Sequence, residues 1–148
     1  MRLAEVLDDC RVKIVTVAPD VTLAEATRAM RRDGAAAIVV EGGSCLGVLT
    51  AADILGFLAQ PTFPADPWLA PVAAALGAKV TTVADEEPVG RAIERMTAAG
   101  IDHLPVAAAQ GIVVVSLCRL VLAENALLHG EVQYLQNYID ALHDAPND

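Results

Sequence analysis

Aromatic side chains are nearly missing from this chain: two Phe, two Tyr and one Trp among 148 residues. A core built on rings is thereby excluded. Apolar residues still make up 55% of the sequence, with Ala and Val prominent, so helices and strands must approach closely on small side chains. The length suits one compact domain or two half-domains sharing a core. Basic residues are also few, ten Lys plus Arg against nineteen Asp plus Glu, for a net charge of −9. That balance argues against nucleic acid and anionic membranes as partners, since both select a basic face. The densest basic group, Arg28, Arg31 and Arg32, reads as a solvated helix face. Cys10, Cys45 and Cys118 are odd in number and lack C-x-x-C spacing, which fits free thiols in a reducing cytoplasm. No uncharged apolar run approaches the roughly 20 residues that span a bilayer. The N-terminal MRLAEVLDDC has acids where a secretory leader has bases.

Catalytic signatures are absent too. There is no nucleophile motif, no H-E-x-x-H and no phosphate loop. His103, His129 and His143 lack metal-site spacing with the cysteines. Asp8-Asp9 and Glu86-Glu87 read as solvated loop or cap acids. The expectation is a protein that is not an enzyme and that requires no metal or cofactor.

What is present is a duplication. Laid on itself with a shift of 66, the sequence matches without a gap over some forty positions. Thr16-Val17-Ala18 falls on Thr82-Val83-Ala84, Ala26 on Ala92, Met30 on Met96, Gly34 on Gly100 and Val40 on Val106. Spaced matches in equivalent roles mark an internal repeat.

Each copy predicts the same elements. A β-branched strand comes first, at 13–17 or 79–83. A helix follows. In copy one Thr22 and Glu25 form a capping box, and Leu23, Ala26, Thr27 and Met30 make an apolar stripe. In copy two Pro88 opens the helix, and Val89, Ala92, Ile93 and Met96 repeat the stripe. Gly34 and Gly100 stand where a helix end wants a left-handed residue. Two strands joined by a tight turn come next, at 37–40 and 46–49, or at 103–106 and 112–115. The apolar run at 112–115 predicts a strand covered on both faces. A second helix starts at Thr50 or Ser116. Between the copies lies a linker at 61–71 with four prolines and Trp68, which wraps back and holds the halves together.

The second strand and helix start read GVLTAAD at 47–53 and VVVSLCR at 113–119. These residues, with VTVAPDVTLAEATRAMRRDG in copy one and AAGIDHLPV in copy two, resemble the CBS domain. The tandem resembles a CBS pair, or Bateman module, over roughly residues 1–125. The fold class expected is α+β, two pseudo-symmetric β-α-β-β-α units packed together, plus a long C-terminal helix. The boundaries expected are 1–60 for unit one, 61–78 for the linker, 79–125 for unit two and 126–148 for the tail.

The resemblance implies a ligand role for Gly47, Thr50 and Asp53. In the family such a set often recognises adenosine nucleotides or S-adenosylmethionine. Physics supplies matching roles: Gly47 permits close approach, Thr50 sits at an anion-favouring helix start, and Asp53 can accept from ribose hydroxyls. The same Thr50 and Asp53 also read as an ordinary N-cap with an acid at N3. In copy two Val113 replaces the Gly and Arg119 the Asp. Copy two then reads as the structural half, with Arg119 alternatively reaching a phosphate in the neighbouring site. By resemblance the other walls of the copy-one site come from Ala36, Ala37, Val80, Thr81, Asp102 and His103. His103 reads equally as a half-exposed strand residue. A carboxylate such as Asp102 about 4 Å from a phosphate costs roughly 1 kcal/mol per charge pair in water, so an AMP-like ligand is expected over ATP.

The tail continues helical to about Leu142. Cys118, Asn125, Val132 and Ile139 fall at heptad position a, and Val121, Leu128, Leu135 and Leu142 at d, with Glu124 and Glu131 at g. Either a second copy covers this stripe in a two-stranded arrangement selected by Asn125, or the helix packs on its own core, with Gly130 weakening it by about 1 kcal/mol. A homodimer is expected. Taken together, the sequence reads as a small, stand-alone cytoplasmic sensor that binds an adenosine-containing ligand between its repeats and relays the event to an unknown effector protein. The competing reading is a ligand-free interaction and dimerisation protein with degenerate sites.

Overall fold

A computed structural model describes residues 1–61, 65–77 and 81–144. The repeat predicted from sequence is plain in the chain order. After a 3-10 turn at Leu3–Glu5 and the short α1 (Leu7–Cys10), copy one runs β1 (Ile14–Val17), α2 (Leu23–Asp33), β2 (Ala37–Glu41), β3 (Cys45–Leu49) and α3 (Ala51–Leu58). Two 3-10 turns, Pro67–Leu69 and Val72–Ala75, occupy the linker. Copy two runs β4 (Val83–Ala84), α4 (Val89–Ala99), β5 (His103–Ala108), β6 (Gly111–Ser116) and α5 (Leu117–His143). Each copy has its own three-stranded sheet, β1-β2-β3 and β4-β5-β6. The first pair is parallel and the second antiparallel in both.

Local chemistry sets these elements. Thr22 caps α2, its hydroxyl accepting from Glu25 N–H at 3.1 Å while the Glu25 carboxylate reaches back to Thr22 N–H. Gly34 and Gly100 end α2 and α4 with φ of 64° and 68°, the left-handed region in which a side chain is strained. Of the predicted stripes, Leu23 and Ala26 are buried on α2 and Val89, Ala92 and Met96 on α4. Val113, Val114 and Val115 are buried, as expected of a strand covered on both faces. Pro88 stands one residue earlier than foreseen, as the N-cap of α4.

One strand is shorter than predicted. The sequence suggests 79–83; Thr81 and Thr82 are outside any strand, and β4 pairs only Val83 with Val106 and Ala84 with Ala107. Val80 and Lys79 lie outside the described residues. Copy one pairs four residues at the same place. There β2 has Val39, whereas β5 has Pro105, which offers no N–H to either neighbour.

The cores cross between copies in a way the repeat does not announce. Leu3, Val6, Leu7 and Cys10 pack into the core of copy two, with Val89, Met96, Leu104 and Leu120. Backbone bonds from Leu3 N–H to the Glu87 carbonyl (2.9 Å) and from Ala4 N–H to that of Asp85 (2.8 Å) fix this segment. Val72 and Ala75 of the linker pack into the core of copy one, with Val72 N–H bonded to the Val21 carbonyl at 2.7 Å. A third cluster joins the sheets through Ala37, Val39, Val48 and Val114.

The second helix of copy two and the tail form one rod, α5, about 40 Å long at 1.5 Å per residue. Its first turns bury Leu120. From Asn125 to Asp144 every residue is exposed, so the tail does not pack on its own core. Leu128, Val132, Leu135, Ile139 and Leu142 are all between 46% and 64% exposed.

The three cysteines are free, Cys10 buried, Cys45 half-buried and Cys118 exposed. Burial raises the Cys10 thiol above its ordinary pKa, Asp9 adds to that, and Arg119 opposes it. A raised pKa leaves less thiolate, the reactive species, at any given pH. Alkylation near pH 8, read by mass spectrometry of the modified peptides, is therefore expected to label Cys118 at least about tenfold faster than Cys10. Unfolding in urea should erase the difference.

Candidate functional site

Thr50 is the N-cap of α3, in extended conformation at the end of β3. Its N–H donates to Asp53 Oδ2 at 2.8 Å, and its hydroxyl lies 3.0 Å from the same oxygen. Asp53 N–H returns to Thr50 Oγ1 at 3.5 Å. The capping box is thus formed, and it uses one carboxylate oxygen. Asp53 Oδ1 has no partner among the described residues and stays available as an acceptor.

Both residues border a cavity of about 200 Å³ between the copies. Its remaining walls are Val48 from copy one, Gly77 from the linker, and Gly100, Ile101, Asp102 and His103 from copy two. Asp102 Oδ1 and His103 Nδ1 are 2.9 Å apart, so this carboxylate has a neighbour of its own. His103 is the more enclosed of the two, 19% exposed against 73% for Asp102. No Lys or Arg lines the cavity among the described residues.

Not every residue suggested by the sequence comes here. Ala36, Ala37, Gly47 and Thr81 do not line this cavity, and Val80 lies outside the described residues. Ala36 precedes and Ala37 starts β2, as Asp102 precedes and His103 starts β5, so they stand at the equivalent place in the other copy. Ala36 N–H bonds to the Lys13 carbonyl at 2.8 Å, and Ala37 is fully buried in the cluster between the sheets. The room left by Gly47 is already taken: a Cβ there would lie 2.7 Å from Leu76 Cδ2. At this glycine the close neighbour is the linker side chain Leu76. Val48, Gly77, Gly100 and Ile101 were missed; Gly100 was read only as a helix terminator, and nothing local to Gly77 marks it as a wall.

On the other side, Arg119 has a structural partner. Its Nη1 donates to the Arg11 carbonyl at 2.7 Å, tying α5 to the segment ahead of β1. Ser116 Oγ accepts from Arg119 N–H at 3.4 Å, as the predicted cap. The replacement of Asp by Arg thus supplies a staple where copy one has an acceptor. A larger cavity, about 470 Å³, lies beside β6 and is bordered by Asp8, Arg11, Lys13, Gln110, Val113 and Val114. The added bulk of Val113 does not close that side. Among the described residues no group of His, Cys, Asp and Glu is arranged to hold a metal, and no helix is long and apolar enough to cross a membrane.

Comparison with known proteins places this architecture. The CBS domain family profile matches residues 4–60 and 74–114, more than half of the chain, so the chain belongs to the CBS-domain family. With two matched segments and two sheets, it is a tandem CBS pair. Curated protein sequences give no match. Among solved structures, a CBS-domain protein from Agrobacterium tumefaciens superposes with a TM-score of 0.69 at 25% identity, covering 84% of this chain and 99% of the other. A CBS-domain protein from Pyrobaculum aerophilum, complexed with AMP, gives 0.66 at 22% identity, over 87% and 97%. A CBS pair in complex with 5′-methylthioadenosine and S-adenosyl-L-methionine gives 0.65 at 17% identity, over 83% and 98%.

The Gly47–Leu76 contact has a direct thermodynamic signature. Gly47→Val forces the Leu76 side chain to move and should destabilise the fold by about 1–3 kcal/mol. Combining it with Leu76→Ala removes the clash, so the pair should cost less than the sum of the singles by about 0.5–3 kcal/mol. Urea denaturation of the four proteins measures this coupling; strict additivity would mean that Leu76 does not fill the space.

Proposed function

We propose that this CBS pair is a non-catalytic regulatory module that takes an adenosine-containing ligand in the cleft between its copies. The observation that carries the reading is the joint wall: Thr50 and Asp53 of copy one face the same cavity as Asp102 and His103 of copy two. Asp53 Oδ1 supplies an acceptor for a ribose hydroxyl, and the start of α3 supplies a polar terminus. AMP and S-adenosyl-L-methionine in complexes of like fold support an adenosine group.

The cavity is smaller than the roughly 300 Å³ at which ordinary ligand pockets begin. A nucleoside therefore enters only as the copies part. This couples occupancy to geometry, and a ligand shifts such an equilibrium by its differential affinity for the two forms. An effector protein would read the change. The free thiols suit a reducing, cytoplasmic setting.

Self-association belongs to the same reading. The exposed stripe on α5 is suited to a second copy of the chain, each leucine contributing roughly 1.5–3 kcal/mol on full burial. The competing role, assembly without a ligand, has one observation in its favour: the capping box already occupies Asp53 Oδ2.

Three measurements separate these roles. Calorimetry should show adenosine or AMP binding at least as tightly as ATP without added metal, because Asp53 and Asp102 border the cleft and, among the described residues, no Lys or Arg does. Asp53→Ala should weaken AMP at least about tenfold, the loss of a hydrogen bond to a charged group, with the variant's own melting measured alongside. Leu128→Glu with Leu135→Glu, both at exposed positions, should convert a dimer to a monomer in sedimentation while leaving the core folded. No ligand response in an intact dimer would leave the assembly role; a dimer unaffected by the two charges would place the interface elsewhere.

A further inference from the structure

The densest basic group of this acidic chain is exposed, as expected, and two of its members also border a groove. Arg28 and Arg31 lie three residues apart on α2, which places them on one face of the helix. Trp68 and Leu69 of the linker stand opposite, and the four residues border a groove of about 450 Å³, with Thr27 and Asp66. The linker is pinned there by its backbone: Leu23 N–H bonds to the Ala70 carbonyl at 2.8 Å, and Trp68 N–H donates to Asp66 Oδ1 at 3.0 Å.

Three features of this groove are unsatisfied. The ion pairs among the described residues are Arg32–Asp33, Arg95–Glu87 and His103–Asp102; neither Arg28 nor Arg31 takes part in one. Trp68 and Leu69 are 39% and 69% exposed, although the chain has a single Trp. Thr27 Oγ1 is shielded from solvent yet has no hydrogen-bond partner among the described residues. A buried hydroxyl without a partner is costly and uncommon. On α4 the equivalent positions hold Ile93, Glu94 and Thr97, and the Thr97 hydroxyl donates to the Ile93 carbonyl at 2.8 Å.

We infer that this groove docks an acidic segment of a partner protein that also carries an apolar side chain. The guanidinium groups take the carboxylates, in the fork geometry that favours Arg over Lys. Trp68 and Leu69 take the apolar side chain. Trp and Arg are the residues most enriched where a few side chains dominate a protein interface. Asp66 is the one acid in the groove among the described residues, with one of its oxygens held by the Trp68 N–H. A peptide is favoured over a free small anion because the groove is open along the helix and presents apolar surface beside its charges. This docking stands without any ligand in the cleft.

Trp68, the sole tryptophan, makes the test local. The full-length protein is titrated with a short synthetic peptide of alternating Glu and Leu while Trp68 emission is followed. A saturable blue shift is expected, because the leucine side chain displaces water from the indole. The shift should weaken as salt is raised. Arg28→Ala with Arg31→Ala, both at exposed positions, should lower the affinity at least about tenfold. The same peptide with Lys in place of Glu should give no shift. Circular dichroism melts verify that the double variant stays folded, and Arg28→Lys with Arg31→Lys, which keeps charge and loses the fork, should fall between. No saturable shift, or equal affinity in the double alanine variant, overturns the inference. So does an equal shift with inorganic phosphate, which assigns the site to a small anion. A shift that follows protein concentration alone assigns the groove to a second copy and likewise overturns it.

Discussion

Each half of this protein has a sheet with its own helices on one side only, and everything else depends on how the bare side is covered. Ala37, Val39 and Val48 from one copy and Val114 from the other meet in a cluster between the sheets. Small side chains let the backbones come close, in keeping with a chain that has almost no rings. Because a three-stranded sheet with an uncovered apolar face is marginal in water, neither half is expected to persist alone. The duplication is then a requirement of burial, and the clefts are where the two pseudo-equivalent surfaces diverge at their edges.

The copies share what folding needs and differ in what a site needs. Both place a hydroxyl at the cap of the second helix, Thr50 and Ser116, and both end the first helix on a left-handed glycine. One turn into the second helix they part. Asp53 completes its own capping box and keeps one oxygen free. Arg119 reaches out to the Arg11 carbonyl, binding α5 to the N-terminal segment that completes the second core. A single substitution of sign thus turns an acceptor beside a cleft into a staple between elements.

Features written in consecutive residues were legible. The capping box of Thr22 and Glu25, the glycine stops, the Ser116 cap and the far end of α5 all follow from patterns within a turn or two of helix. Thr50 and Asp53 were legible as a pair, with the capping bond and the free oxygen both foreseeable from their spacing. Contacts between distant segments were not. Nothing near Leu3 says that it joins the core of copy two, since that depends on a backbone pairing with Glu87. Leu76 filling the space at Gly47 depends on how the proline-rich linker returns, and Gly77 becomes a cleft wall for the same reason. The shortened β4 had a visible cause, Pro105, but on the strand it pairs with, not on β4. Arg28 and Arg31 are exposed as their spacing suggested, but that Trp68 borders the same groove depends on the return of the linker.

On the proposed reading, a small event in the cleft would become large elsewhere. α5 is anchored to copy two by Leu117 and Leu120 in its first turn and then leaves the core. On that reading, a nucleoside that parts the copies would pivot them about the cluster of Ala37, Val39, Val48 and Val114, the packed contact between the sheets. A rigid helix multiplies the pivot: turning by about 5° moves a point some 30 Å along it by roughly 3 Å, about half of one helical turn. That displacement is about half of the roughly 5 Å between successive side chains on the a/d stripe. A paired tail would therefore lose its register, or a differently paired one gain it, for a rotation too small to disturb either core. The scarcity of bulky residues in the valine cluster suits this role, since small, nearly equivalent side chains can slide past one another without opening a void.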